Sequence, residues 1–170
     1  MLRVSAAYEP YPTPNVIFDW LDEQFGMDPS VFDEFQLWHR PGINSIWLAS
    51  KSVLITPEIK AETVGIQVTR RPPPRAKPST YFAQRFGRHA QRNVVTLREI
   101  DIEPFFRGEF IDATLPPGPP RNCIVRVGDI SLGCGWASRG QVRSQLPSHW
   151  RAESPGGIPV GLELEFDSGR

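Results

Sequence analysis

Cys123-Ile124-Val125-Arg126-Val127-Gly128-Asp129-Ile130-Ser131-Leu132-Gly133-Cys134-Gly135-Trp136-Ala137 is the clearest β signal in this chain of 170 residues. Two runs rich in apolar and β-branched residues flank Gly128-Asp129, a pair suited to a two-residue hairpin turn. Arg139-Gly140 predicts a second reversal, into a strand that holds Val142. Upstream, Ile46 to Ala49 and the alternating Val64, Ile66 and Val68 predict two more strands.

Helical periodicity lies between and before these strands. Asn15 suits a cap for a helix with Val16, Trp20, Leu21 and Phe25 at helical spacing, ended by Gly26. Asp28-Pro29 predicts a short helix running to Phe35. The run Pro72-Pro73-Pro74 breaks the sheet, and Ser79 or Thr80 then caps a helix over residues 81–92. At about 100° per residue, Phe82, Ala83, Phe86 and Ala90 share one face of it. Arg85, Arg88 and Arg92 share the opposite face, with Tyr81 beside them. Thr96-Leu97-Arg98-Glu99 matches a capping box, and Gly108 closes a short helix through Phe105-Phe106. The fold class expected is α+β: a mixed, mostly antiparallel sheet, partly closed like a barrel, with short flanking helices. The organisation expected is an extended arm over 1–14, a helix and strand portion over 15–60 and a core over 61–152. A C-terminal extension over 153–170 carries an alternating run (Val160, Leu162, Leu164, Phe166) that suits one more strand.

Net charge is zero, with 19 basic and 19 acidic residues, but the signs are segregated. Residues 1–35 hold seven acids and one base, whereas residues 70–98 hold eight bases before the first acid, Glu99. Seven of those eight are arginine, whose planar fork suits phosphate and stacks on bases. Arg121, Arg126, Arg139, Arg143 and Arg151 follow, against Asp129 alone. No stretch approaches the roughly 18 apolar residues of a membrane span. Two cysteines are too few for a disulfide scaffold, so a reducing, cytoplasmic setting is expected.

From Val64 to Arg151 the chain resembles the C-terminal RNA-binding domain of Sun/Fmu-type ribosomal RNA cytosine-5 methyltransferases. It is more distantly similar to the pre-PUA domain of Nip-type ribosome-biogenesis factors. The likeness is carried in order by several pieces. Val64-Gly65-Ile66 comes first, then Pro78-Ser79-Thr80, Arg92 to Leu97, and Phe105-Phe106-Arg107-Gly108-Glu109. Val125 to Trp136 follows, and Arg143-Ser144-Gln145-Leu146-Pro147 with Arg151 ends the series. The resemblance departs at Ser144 and Gln145, where the family carries Asn, and at Ser148-His149-Trp150. It implies a PUA-like fold and binding to ribosomal or other structured RNA in processing or ribosome biogenesis. It does not imply methyl transfer: the chain has neither a Gly-rich loop for the methyl donor nor a Pro-Cys nucleophile motif.

The RNA-binding residues expected are Arg70, Arg71, Arg75, Lys77, Arg85, Arg88, Arg92, Arg139, Arg143 and Arg151 for phosphate, with His149 beside them. Tyr81 and Trp150 are the expected stacking positions. Trp136 is a third aromatic that could stack, but its alternation with Cys134 assigns it to the core. Catalysis is not expected, since His39, His89 and His149 are scattered and no Ser or Cys has an elbow motif. Nor is any metal or cofactor expected. The competing reading is a protein-interaction subunit of a larger complex that uses the acidic N-terminal 35 residues and the proline loops as contact surfaces, with an RNA-modifying enzyme subunit a distant third.

If Gly128-Asp129 is a two-residue turn, Cys123 lies opposite Cys134 at a hydrogen-bonded site, where side chains are held further apart than at alternate sites. A disulfide would be strained there. Two free thiols are therefore predicted, packed with Val125 and Val127 on one face. Titration of the denatured protein with a thiol reagent should find both.

Overall fold

The computed structural model describes residues 8–56 and 61–147. Strand β1 (Glu9–Pro10) leads into helix α1 (Pro14–Phe25), where Pro14 occupies the first turn and Gly26 closes the last in a left-handed conformation. Thr13, not Asn15, holds the cap position, and Ile17 replaces Val16 on the buried face with Trp20, Leu21 and Phe25. The Asp28 carboxylate accepts from Ser30 N–H, but the turn it opens is a short 3₁₀ segment, Pro29–Phe32. The helix expected to reach Phe35 stops there, because Phe35 begins strand β2 (Phe35–Arg40). Pro41 and Gly42 (φ 81°) then make a tight reversal into β3 (Ile43–Ser50).

With β4 (Ile66–Thr69), these strands form an antiparallel sheet of order β1-β2-β3-β4. Both of its faces are covered. Leu37, Ile46, Leu48 and Val68 enter the main core with α1, whereas Tyr8, Trp38, Trp47, Ala49 and Val64 form a small cluster on the reverse side. Double burial explains why Ile46-Trp47-Leu48-Ala49 reads as an unbroken apolar run.

The remaining elements are α2 (Thr80–Phe86), β5 (Val94–Thr96), α3 (Ile102–Arg107), β6 (Phe110–Asp112), β7 (Arg121–Val127), β8 (Ile130–Ser138) and β9 (Gln141–Ser144). The second sheet runs β5-β7-β8-β9-β6, parallel between β5 and β7 and antiparallel elsewhere. The α+β class with short flanking helices holds: there are two sheets, one of them curled into a half-barrel. The expected capping box is absent. Thr96 ends β5, and the 3₁₀ turn Glu99–Asp101 begins at Arg98 without a side-chain cap. Gly108 closes α3 as expected.

Both hairpin turns stand where the sequence places them, but the register of the first slips. Val127 faces Ile130 and Arg126 faces Ser131. The next pair is Val125 with Gly133, which leaves Leu132 as an extra residue in a bulge. Cys123 therefore faces Gly135, and Cys134 faces Ile124. Both cysteines are free and buried, yet they occupy opposite faces of the sheet. Cys123 packs with Val125 and Val127, while Cys134 joins the core shared by α1, α2 and the first sheet. Burial pushes both thiols up to about 12, so both stay protonated and unreactive.

Helix α2 lies on this hairpin through Phe82, Ala83 and Phe86, leaving Arg85 and Arg88 exposed, so the expected helical phase is correct. Its length is not. The helix stops at Phe86, and residues 87–89 form a 3₁₀ turn. A Cβ on Gly87 would stand 2.3 Å from Ser131 Oγ and 2.8 Å from Ile124 Cγ2, so backbone meets sheet directly there. Gly87→Ala should consequently destabilise the fold by about 1–3 kcal/mol, despite alanine's better helix propensity. Chemical denaturation of the two proteins measures the difference.

Candidate nucleic-acid interface

Between β4 and α2 the chain forms a loop over residues 70–77 that one buried hydroxyl ties together. Thr69 Oγ1 donates to the Arg71 carbonyl at 2.8 Å and accepts from the N–H groups of Arg71 and Lys77, each at 3.3 Å. The loop's far end is stitched to β4 by a bridge between Thr69 and Pro78 and by Ser79 N–H on the Val68 carbonyl at 2.8 Å. The Ser79 hydroxyl also donates to the Gln67 carbonyl, and it accepts from Phe82 N–H at 3.1 Å to cap α2. A buried threonine and a helix cap thus hold a loop whose four cations, Arg70, Arg71, Arg75 and Lys77, all remain exposed.

Those four cations line an open groove of about 570 Å³ together with Tyr81, Gln145 and Pro147. No carboxylate is among its lining residues. Partial desolvation, with the Arg70 charge adding to it, holds the Lys77 ammonium below the ordinary lysine value. Tyr81 is 57% exposed on the first turn of α2. It also borders an adjacent, more apolar recess with Trp47, Ile66, Arg85 and Ile130.

The other expected contacts do not converge on this groove. Because the helix ends at Phe86, Arg88 and Arg92 do not continue the Arg85 face. The Arg88 guanidinium donates to His89 Nε2 at 3.2 Å, and burial followed by the Arg88 charge lowers the His89 pKa. Arg92 is bound instead to the end of α1, donating to the Asp22 carbonyl at 2.8 Å and carboxylate at 3.1 Å. The expected acid-free arginine face is therefore divided, and its last member is paired with an acid. Arg139 occupies the β8–β9 turn with φ 53°, and it lines none of these recesses. Arg143 is near: it shares a second recess with Lys77, Phe110, Trp136, Ser144 and Gln145. His149, Trp150 and Arg151, like the expected strand after residue 153, lie outside the described residues.

Trp136 corrects a second expectation. It alternates with Cys134 but is 41% exposed. α2 covers the Cys134 end of this face and leaves the far end of β8 open, where Trp136 has Asn122 and Arg143 as its cross-strand neighbours. Phe110, 63% exposed, is a second exposed aromatic here and was not among the expected contacts. Two polar cross-strand neighbours are a signal that could have shown an open face, once register is known.

Among the described residues no group of His, Cys, Asp or Glu is placed to hold a metal ion. No helix among them is long and apolar enough to cross a membrane. No protein-family model matches the chain, and no curated protein matches its sequence.

The Thr69 hydroxyl and the loop cations should separate in stability. Thr69→Val removes the acceptor of two backbone donors and should cost about 1–3 kcal/mol. Arg75→Glu, at an exposed position, should stay within about 0.5 kcal/mol. Urea titration of the three proteins distinguishes them.

Proposed function

We propose that this protein is a non-catalytic RNA-binding module of PUA-like type that docks ribosomal or other structured RNA, as an accessory or ribosome-biogenesis factor in the cytoplasm. The observation that carries the reading is the carboxylate-free groove lined by Arg70, Arg71, Arg75 and Lys77. Four cations on one short, anchored loop concentrate positive potential despite a net charge of zero. Arginine forks engage phosphate in two hydrogen bonds and release its counterions, which supplies most of the affinity for a polyanion. Exposed Tyr81 at the rim offers a ring to unstacked bases. The resemblance of residues 64–151 to RNA-binding domains of ribosomal RNA methyltransferases supports the same reading. The buried, protonated thiols suit a reducing compartment.

Arg70→Glu, Arg71→Glu and Arg75→Glu together should abolish binding to ribosomal RNA fragments while leaving the thermal midpoint nearly unchanged. Reversal of Arg85, Arg88 and Arg92 should weaken binding less, because only Arg85 borders the neighbouring recess. Wild-type affinity should fall steeply with salt, with a logarithmic slope of about −0.7 per phosphate contacted on a single strand. Fluorescence anisotropy across a salt series reads both effects. Salt-independent binding, or a loop triple variant that binds normally, would replace this reading with that of a protein adaptor.

A further inference from the structure

The basic groove does not end at Lys77. Lys77 and Gln145 line both the groove and the second recess, so the two form one continuous surface. That second recess holds two exposed aromatic rings, Trp136 and Phe110, beside a positioned cation. Arg143 faces Trp136 across β8 and β9, and its guanidinium lies 5.1 Å from the Phe110 ring centroid. Its Nε donates to the Gly108 carbonyl at 2.9 Å, which fixes the head group in place. On its other side Trp136 shares a further recess with Asp19 and Glu23 of α1 and with Arg121. Positive charge therefore continues from the groove past Lys77 to Arg143.

A half-exposed indole beside two cations is poorly used by a duplex. Paired bases are stacked on one another and present no free face, and duplex RNA is held through phosphates and 2′-hydroxyls. An unpaired base has both faces available, and aromatic stacking is indifferent to which base it is. We propose that the RNA entering the basic groove is single-stranded, and that Trp136 is a stacking platform for one of its unpaired bases, flanked by phosphate contacts at Lys77 and Arg143. The inference rests on the RNA-binding reading and sharpens it: the target is a loop, bulge or end, with a base specificity lower than its affinity.

The experiment is an anisotropy titration of the full chain with a labelled single-stranded uridine oligomer and with a blunt RNA duplex of equal length, at one salt concentration. The wild type should prefer the single strand. Trp136→Ala should weaken that binding about tenfold without changing the salt slope, and Trp136→Phe should recover most of the loss. Arg143→Gln should weaken binding and lower the salt slope by about 0.7. Thermal midpoints of the three variants should stay close to the wild type. Preference for the duplex, or unchanged single-strand affinity in Trp136→Ala, overturns this inference while leaving the RNA-binding reading standing. Absence of salt-sensitive binding to either RNA overturns both.

Discussion

The contact between α2 and the bulged β7–β8 hairpin is the constraint on which the rest of the structure depends. One extra residue, Leu132, pushes Gly133 to φ 136° and turns a carbonyl out of the ladder. Gln84 of α2 reaches that Leu132 carbonyl at 3.1 Å, and the Cys134 thiol donates to the Pro78 carbonyl at 3.4 Å. Gly87 completes the seam by bringing helix-end backbone against Ser131 and Ile124. A bulge leaves backbone groups without ladder partners, and buried groups of that kind are costly unless something else meets them. Here the meeting partner is the same helix whose cap anchors the basic loop.

That coupling makes the candidate interface a consequence of the core rather than an addition to it. Phe82 and Phe86 insert between the hairpin and the first sheet, in ring contact with Phe32 and with each other. Burial of each such ring contributes about 1.5–3 kcal/mol. With α2 held from below, Ser79 and Thr69 close the 70–77 loop from above and leave its three arginines exposed. A rigid loop loses less conformational entropy on binding than a free one, so its charge is used more fully.

Opposite charges are kept apart by the same architecture. α1 carries Asp19, Asp22 and Glu23 along one side of the molecule, and Arg92 is drawn to its end by Asp22. An exposed pair of that kind contributes little stability. Its effect is to withdraw one arginine from the positive surface and to mark where that surface stops.

Local chemistry was legible from the residues alone. Gly128-Asp129 and Arg139-Gly140 specify their hairpin turns because a type of backbone geometry is available to few residues. Gly26 and Gly108 specify helix ends for the same reason, and the Phe82, Ala83, Phe86 spacing specifies a buried face. The cluster of cations over residues 70–77 is equally visible, since charge needs no fold to be counted. Tertiary structure alone decided the rest. The bulge at Leu132 separated the two cysteines onto opposite faces, and close packing at Gly87 cut the helix short of Arg88 and Arg92. Strand β2 went unseen because Gln36, His39 and Arg40 leave it only two buried residues, Leu37 and Trp38, and no apolar alternation to read. Trp136 obeys alternation perfectly, yet it is exposed, because alternation assigns a residue to a face and only the neighbouring elements determine how much of that face is covered.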